Sequence, residues 1–520
     1  MTHGICTNLP SACTHAEKRT QLPYDDSNSR CPKCGSPLLR VDESAGGGGK
    51  GKMNVLAIAI PLALVALGGG WWAMSGSGGG GGKTSASSTA NAENTVLRLH
   101  GSDTVGTTLA PALLKAFLAQ EGYTQIEQHP TKTVDEIVVT ARGTDGVPVR
   151  IEVYGHGSGT GFADLSAGKA DIAMSSRPIK KNELELTKAL GNLNADGAEY
   201  VVALDGTAIV THSTNAITRL SLAQLRDIFG GKITDWSKVG GKPGPIKLIS
   251  RDEKSGTYDA FKGQVMGGAD VDKSAKVADS GGVLSDLVAK DPQAIGFVAM
   301  NDIHQSKVVA ISDGTHEPMR PTKLTVGAED YPLTRRLFMY VPPMTTNALA
   351  VRFAEFAVSP EAQKVVDKAG FIGQAAEAVE AKGVATSSSA YNQLVEGSQR
   401  LSINLRFQPG SMTLDNKAER DMGRIAQLIG ARGKKSEVML LGFTDGTATA
   451  PCKVSQERAA AVSAELATYG VKAKVVYGFG AAVPMAADDT EAGRERNRRV
   501  EVWIADHPVQ APAAACKDPK

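Results

Sequence analysis

IKLISRDEKSGTYDAF, residues 246–261, is the stretch on which the fold turns. Its opening residues are the short β-branched run of a strand, its closing residues read as a helix, and a charged, hydroxyl- and glycine-rich turn joins them. The first turn of a helix leaves backbone N–H groups unpaired at the positive end of the dipole, and Ser255 and Thr257 add hydroxyl donors there. Arg251 brings a full charge and a planar fork of donors suited to an oxyanion. Alone, such a turn is also what an ordinary helix cap looks like.

Working outward, the same grammar occurs twice more, in Gly101-Ser-Asp-Thr-Val105 and Gly157-Ser-Gly-Thr-Gly161, each after a strand-like run and before a helical one. Between Val96 and about Ala385 the runs VLRL, VRIEVYG, VVALDGTAIVT, IKLIS and AIGFVAM alternate with helical stretches, an α/β organisation. Three helix starts converging would enclose an oxyanion. Catalytic patterns are poor by comparison. GSGTG lacks the lysine of a phosphate-cradling GxxxxGK[ST] loop, and His156-Gly-Ser158-Gly is not a nucleophile elbow.

These turns, with GSGTGFADLSAGKADIAMSSRP, LAQLRDIFGGKITDWSKVGG, RDEKSGTYDAF and AIGFVAM, make residues 96–385 resemble the PstS-type phosphate-binding proteins of ABC uptake systems. The resemblance implies two lobes joined by a hinge and closing on the ligand, the chain leaving the first lobe near Ala203, building the second through about Asp313, and returning. It implies oxyanion contacts from Thr104, Val105, Ser158, Arg251, Ser255, Gly256 and Thr257. Ser176 stands where many relatives place an aspartate that accepts the ligand's proton, and it joins the expected contacts. Asp171 is either a substitute acceptor or the end of a strand. Arg177 is either a second charge on the ligand or a surface arginine.

After the Ser-rich stretch Thr386–Ser389 a new pattern begins. Residues 386–400 are expected to be a linker and 401–508 a domain, with residues 509–520 a tail. Strands are expected at Ile403–Phe407, Glu437–Phe443, Ala473–Gly478 and Asn497–Ile504, and helices at Leu414–Ala431 and Ser455–Thr468. With GFTDG, SQERAAAV, GFGAAVP and DDTEAGRERNRRVEVWI, this α+β run resembles the OmpA-like peptidoglycan-binding domain. The resemblance implies that Asp445 meets the ammonium, and Arg458 the carboxylate, of diaminopimelate in the wall's stem peptide, with Arg498 beside them. Pro451 and a shortened loop between Asp445 and Arg458 depart from that family's pattern.

Residues 53–75, MNVLAIAIPLALVALGGGWWAMS, hold no ionisable side chain and are long enough for one membrane helix. Arg40, Lys50 and Lys52 precede it closely, and Lys83 is the first charge after it, which places the N-terminus in the cytoplasm. Glycine runs at 45–52 and 76–95 read as linkers. The bland alternative for 53–75 is a signal peptide, with a charged leader far longer than usual. Cys6, Cys13, Cys31 and Cys34 precede this segment, and Cys452 and Cys516 follow it. The CPKCG knuckle, with Cys6 and Cys13, resembles a short zinc ribbon over residues 1–44; the alternative is four free thiols on a tail. Cys452 and Cys516 are a candidate disulfide in an oxidising periplasm.

A net charge of +2 leaves no basic field for a nucleic acid. The combined expectation is an inner-membrane, periplasm-facing receptor for phosphate or a similar oxyanion, gripping peptidoglycan and not an enzyme, that delivers to an ABC permease or reports to a signalling partner. The alternative is an envelope linker whose central domain docks a protein instead of an anion.

Overall fold

The computed structural model describes residues 3–6, 21–23, 38–41 and 95–518, apart from 254, 382–387, 409, 434–435 and 513–515. The chain divides into two compact units, Met1–Thr95 and Val96–Lys520. In the first, β1 (His3–Cys6), β2 (Gln21–Pro23) and β3 (Leu38–Val41) form an antiparallel sheet in the order β2-β1-β3, with Cys6 in register with Leu38. Cys13, Cys31, Cys34 and the apolar segment 53–75 lie outside the described residues. Among the described residues no helix is long and apolar enough to cross a membrane.

The second unit opens with the first lobe, β4 (Thr95–Gly101), β5 (Thr124–Pro130), β6 (Glu136–Arg142), β7 (Pro148–Tyr154) and β8 (Ile172–Ser175). The long strand β9 (Glu199–Thr211) then crosses into the second lobe, β10 (Arg219–Ser221), β11 (Lys247–Arg251), β12 (Lys276–Ala278), β13 (Ala294–Ala299) and β14 (Lys307–Ser312), and β15 (Thr334–Tyr340) returns. The strands run β12-β11-β13-β9-β15-β8-β4-β7-β6-β5, with β14 on β9 and β10 on β14. Residues 199–206 of β9 pair with β15 and residues 207–211 with β13, so the crossing falls at Gly206/Thr207, slightly later than the Ala203 expected. The central strands β8, β9, β13 and β15 are near-continuous apolar runs buried on both faces, whereas β5, β6 and β7 follow one another as an antiparallel edge and β5 is largely exposed. In the second lobe the Phe261 and Phe297 rings stack 4.1 Å apart, with Phe229 edge-on. Each such buried ring contributes roughly 1.5–3 kcal/mol. Phe261 thereby anchors the helix Gly256–Gln264, whose first turn carries the site.

The C-terminal sheet is β16 (Ala378–Glu380), β17 (Gln399–Arg406), β18 (Glu437–Gly442), β19 (Ala473–Gly478) and β20 (Arg499–Ala505), in the order β16-β17-β20-β18-β19. Here the expected linker 386–400 is corrected. β16 pairs with β17, and the helix Ser389–Val395 buries Tyr391, Leu394 and Val395 against Phe443, Phe479 and Trp503. Those three apolar side chains share one helical face, and covering them outweighs the loop propensity of the preceding serines. The expected strand Asn497–Ile504 is β20, which starts two residues later, after the helix Glu491–Asn497 capped by Thr490.

Cys452 and Cys516 form a disulfide with Cα atoms 5.5 Å apart, tying the tail to the helix Pro451–Thr468. The cysteines are 64 residues apart. Closing such a loop restricts the unfolded chain by about 4 kcal/mol. Cys516→Ser is expected to lower the unfolding free energy of the C-terminal domain, read from urea titrations, by up to that amount, with a lower midpoint, while the same variant under reducing conditions matches the reduced native chain. Equal midpoints for oxidised native chain and variant would show that the bond restrains nothing.

Candidate functional site

The first and third turns meet across the lobes. A Cβ on Gly256 would lie 1.7 Å from Thr104 Oγ1 and 3.1 Å from an Asp103 oxygen, so only a bare α-carbon lets the helix Gly256–Gln264 start this close. Ser255 caps that helix, its hydroxyl accepting from the Thr257 amide. Beside this contact lies a cavity of about 390 Å³ lined by Thr104, Arg251, Ser255, Gly256 and Thr257, five of the eight expected contacts.

Arg251 keeps its guanidinium available. Its hydrogen bond among the described residues is a 3.4 Å one to the Asp279 carbonyl, and its Nε–H is buried without a partner. Among the described residues it forms no ion pair with a carboxylate; the cavity's second arginine, Arg335, is committed. It binds Asp205 through Nε and Nη2 (2.9 and 2.8 Å) and donates to the Gly256 carbonyl (2.8 Å) and Thr104 Oγ1 (3.3 Å).

The other three expected contacts do not line the cavity. Val105 is fully buried in the first lobe's core, because an apolar side chain at that point turns inward with Leu109. Ser158, at the start of the helix Ser158–Ser166, spends its hydroxyl on the Ser176 amide (3.1 Å), and the two hydroxyls are 3.4 Å apart. That pair fastens the second turn to the end of β8. Arg177 forms a two-pronged ion pair with Glu183 (2.7 and 2.8 Å), and Asp171 one with Arg98 (3.0 Å), so neither supplies a ligand group.

Carboxylates dominate the rest of the wall: Asp103, Asp135, Asp205, Asp252, Asp279 and Asp302 face it. Burial, the largest influence on each, pushes the Asp103 and Asp302 carboxyls above the ordinary aspartate range, against the pull of backbone amides on Asp103 and of Arg251 on Asp302. Asp103 stands within GSDTV, but no local motif marks its place in the cavity, nor those of Asp205 and Arg335. The tandem arginines of YPLTRRLF, flanked by apolar residues, were the available signal for Arg335.

A second site lies in the C-terminal domain. A Cβ on Gly442 would lie 2.1 Å from the Ser455 carbonyl, so the helix Pro451–Thr468 rests directly on β18 and points Arg458 at the strand's end. Asp445 is buried, accepting from the Thr447 amide and from Arg498 at 3.0 Å each. Arg498 also bonds Glu491. Arg458 is 5% exposed, and its Nε and Nη1 have no hydrogen-bond partner; the guanidinium lies 5.1 Å over the Phe407 ring. Burial chiefly, then Arg498, lowers its pKa, while Asp445 opposes them. The buried Arg458 cation thus keeps open donors, while the Asp445 carboxylate is engaged by Arg498.

Comparison with known proteins agrees with both halves. Residues 88–361 match the PBP superfamily domain and residues 406–498 the OmpA family. The phosphate-binding protein PstS of Staphylococcus epidermidis is 32% identical over 225 residues, 42% of this chain and 67% of that protein, and PstS of Staphylococcus aureus gives the same figures. A crystal structure of an ABC-type phosphate transport receptor from Vibrio cholerae aligns with 53% of this chain and 99% of its own at 26% identity, TM-score 0.42. The chain belongs to the PBP superfamily and carries a C-terminal OmpA domain.

Proposed function

We propose that this protein is an envelope receptor for a protonated tetrahedral oxyanion, phosphate first, held to peptidoglycan through its OmpA domain. The observation that carries the reading is Arg251, a guanidinium with a buried, unpartnered N–H in a cavity edged by the first turn of a helix and the hydroxyl residues Thr104, Ser255 and Thr257. The aspartates set the selectivity. A hydrogen phosphate can donate a proton to a carboxylate, whereas fully ionised sulfate meets only repulsion. Calorimetry on the chain should give heat with phosphate near neutral pH and none with sulfate. Heat from neither anion would overturn the proposal and favour a central domain that docks a protein.

For the wall, Asp445 takes the ammonium and Arg458 the carboxylate of the stem peptide's diaminopimelate. Arg458→Ala is expected to cut co-sedimentation with purified peptidoglycan at least tenfold, a loss of about 1.4 kcal/mol or more. It should leave the melting temperature unchanged or slightly raised, because it removes two buried, unpaired N–H groups. Undiminished co-sedimentation would move wall binding elsewhere.

Residues 53–75 anchor the protein in the inner membrane with the N-terminus in the cytoplasm, where Cys6, Cys13, Cys31 and Cys34 hold a structural zinc. Metal analysis of the purified protein, with and without Cys31→Ser, tests the zinc. Protease accessibility of the N-terminus in inverted vesicles tests the orientation.

A further inference from the structure

Two adjacent arginines on β15 face opposite ways, as neighbours on a strand must. Arg335 faces the cavity and bridges the lobes, holding Thr104 from one and Gly256 from the other. Arg336 faces the C-terminal domain. Its Nε and Nη2 bind Glu329 (2.7 and 3.0 Å), and its Nη1 binds Asp415 (2.8 Å), the N-cap of the helix Asn416–Arg432.

The chain entering β15 is gripped from the same side. Glu329 is held at φ +59°, and its carboxylate reaches Lys417 at 3.5 Å. Arg406 bonds the Glu329 carbonyl at 3.0 Å, and Asp330 pairs with Arg400 at 2.8 Å. The helix Asn416–Arg432 also holds the other crossing strand where it begins. Arg420 donates to the Glu199 carbonyl (3.1 Å) and lies 4.6 Å over the Tyr200 ring, and Asn416 bonds the Glu199 carboxylate at 3.2 Å. Both strands on which the lobes pivot are therefore fastened to one helix of the wall-binding domain.

We infer that Arg336, with Glu329 and Asp415, is a positioning group for the anion site: the C-terminal domain sets the attitude of β15, and through Arg335 the spacing of the turns that receive the ligand. None of the three lines the cavity. The inference rests on the anion reading, and it makes the domain a working part of the receptor as well as a tether. By linkage, a wall ligand that shifts this helix changes anion affinity, and the anion changes wall affinity by the same factor.

The test uses the full chain with Asp415→Asn, which keeps a good N-cap and removes the charge that faces Arg336. Inorganic phosphate is expected to bind about 5- to 50-fold more weakly. Amide exchange at Gly256 and Thr257 is expected to speed up at least as much, although neither residue touches Asp415. Arg336→Lys, which keeps the charge and loses the fork, should give a smaller change in the same direction, and it carries the test if Asp415→Asn melts early. Unchanged affinity together with unchanged exchange overturns the inference. If the native chain takes no phosphate, the anion reading fails, and the exchange measurement still decides whether the domain positions the turns.

Discussion

Arg251→Ala is expected to weaken phosphate binding by on the order of 1000-fold, about 4 kcal/mol, with little change in the melting temperature. The asymmetry follows from the partners. Among the described residues Arg251 makes a long hydrogen bond to the Asp279 carbonyl and no ion pair, so removing it breaks no salt bridge and costs the half-buried Asp302 carboxyl a distant pull. With ligand bound, it is the one cavity guanidinium not already spent, because Arg335 is held by Asp205. Six aspartates line the same wall, so without Arg251 the anion meets a strongly negative surface. Arg251→Lys should recover part of the affinity, since an ammonium restores the charge and loses the fork. Calorimetry and thermal melts on the two variants decide it. Binding within fivefold of native for Arg251→Ala would mean that the anion is held elsewhere.

Three turns were expected to converge, and the meeting of two of them was legible because each carries its chemistry locally: a strand end, hydroxyls, glycine, a helix start. What the motifs do not encode is which way a side chain finally faces. Ser158 and Ser176 are 18 residues apart and read as two ligand groups; folding places them against each other, and each satisfies the other. Arg335 was hidden for the opposite reason, since an arginine inside an apolar strand acquires meaning only from Asp205, 130 residues away. The C-terminal domain began too late in the reading because the serines before Ser389 look like a tether. The apolar spacing at Tyr391, Leu394 and Val395 was the helical signal that competed with them.

Glu501→Gln is expected to destabilise the C-terminal domain by about 4 kcal/mol at neutral pH, the cost of leaving buried charge uncompensated. Glu501 is fully buried on β20, joined to Arg499 at 2.7 Å, to the Trp503 indole at 2.9 Å, to the Tyr391 hydroxyl at 2.8 Å and to Arg400 at 3.4 Å. Arg499 has no exposed surface and stacks 4.1 Å over Phe443, so neither cation can turn to water when the carboxylate is lost. Burial alone would raise the Glu501 pKa. Arg400 and Arg499, then the indole, overcome it and hold the value at about 2, against an ordinary 4.5. Because the folded value lies below the unfolded one, this stabilisation is complete above about pH 4.5 and is lost as the pH falls towards 2. The difference is worth on the order of 3 kcal/mol. Glu329, also depressed by Arg336, Lys417 and Arg406 despite its burial, adds in the same direction. Urea midpoints measured from pH 7 to pH 2.5 should therefore fall steeply for the native chain below pH 4.5 and less steeply for Glu501→Gln, which starts lower and has one fewer depressed carboxylate to protonate. Parallel curves for the two proteins would mean that the buried cluster contributes shape alone, and that acid unfolds the domain through its surface.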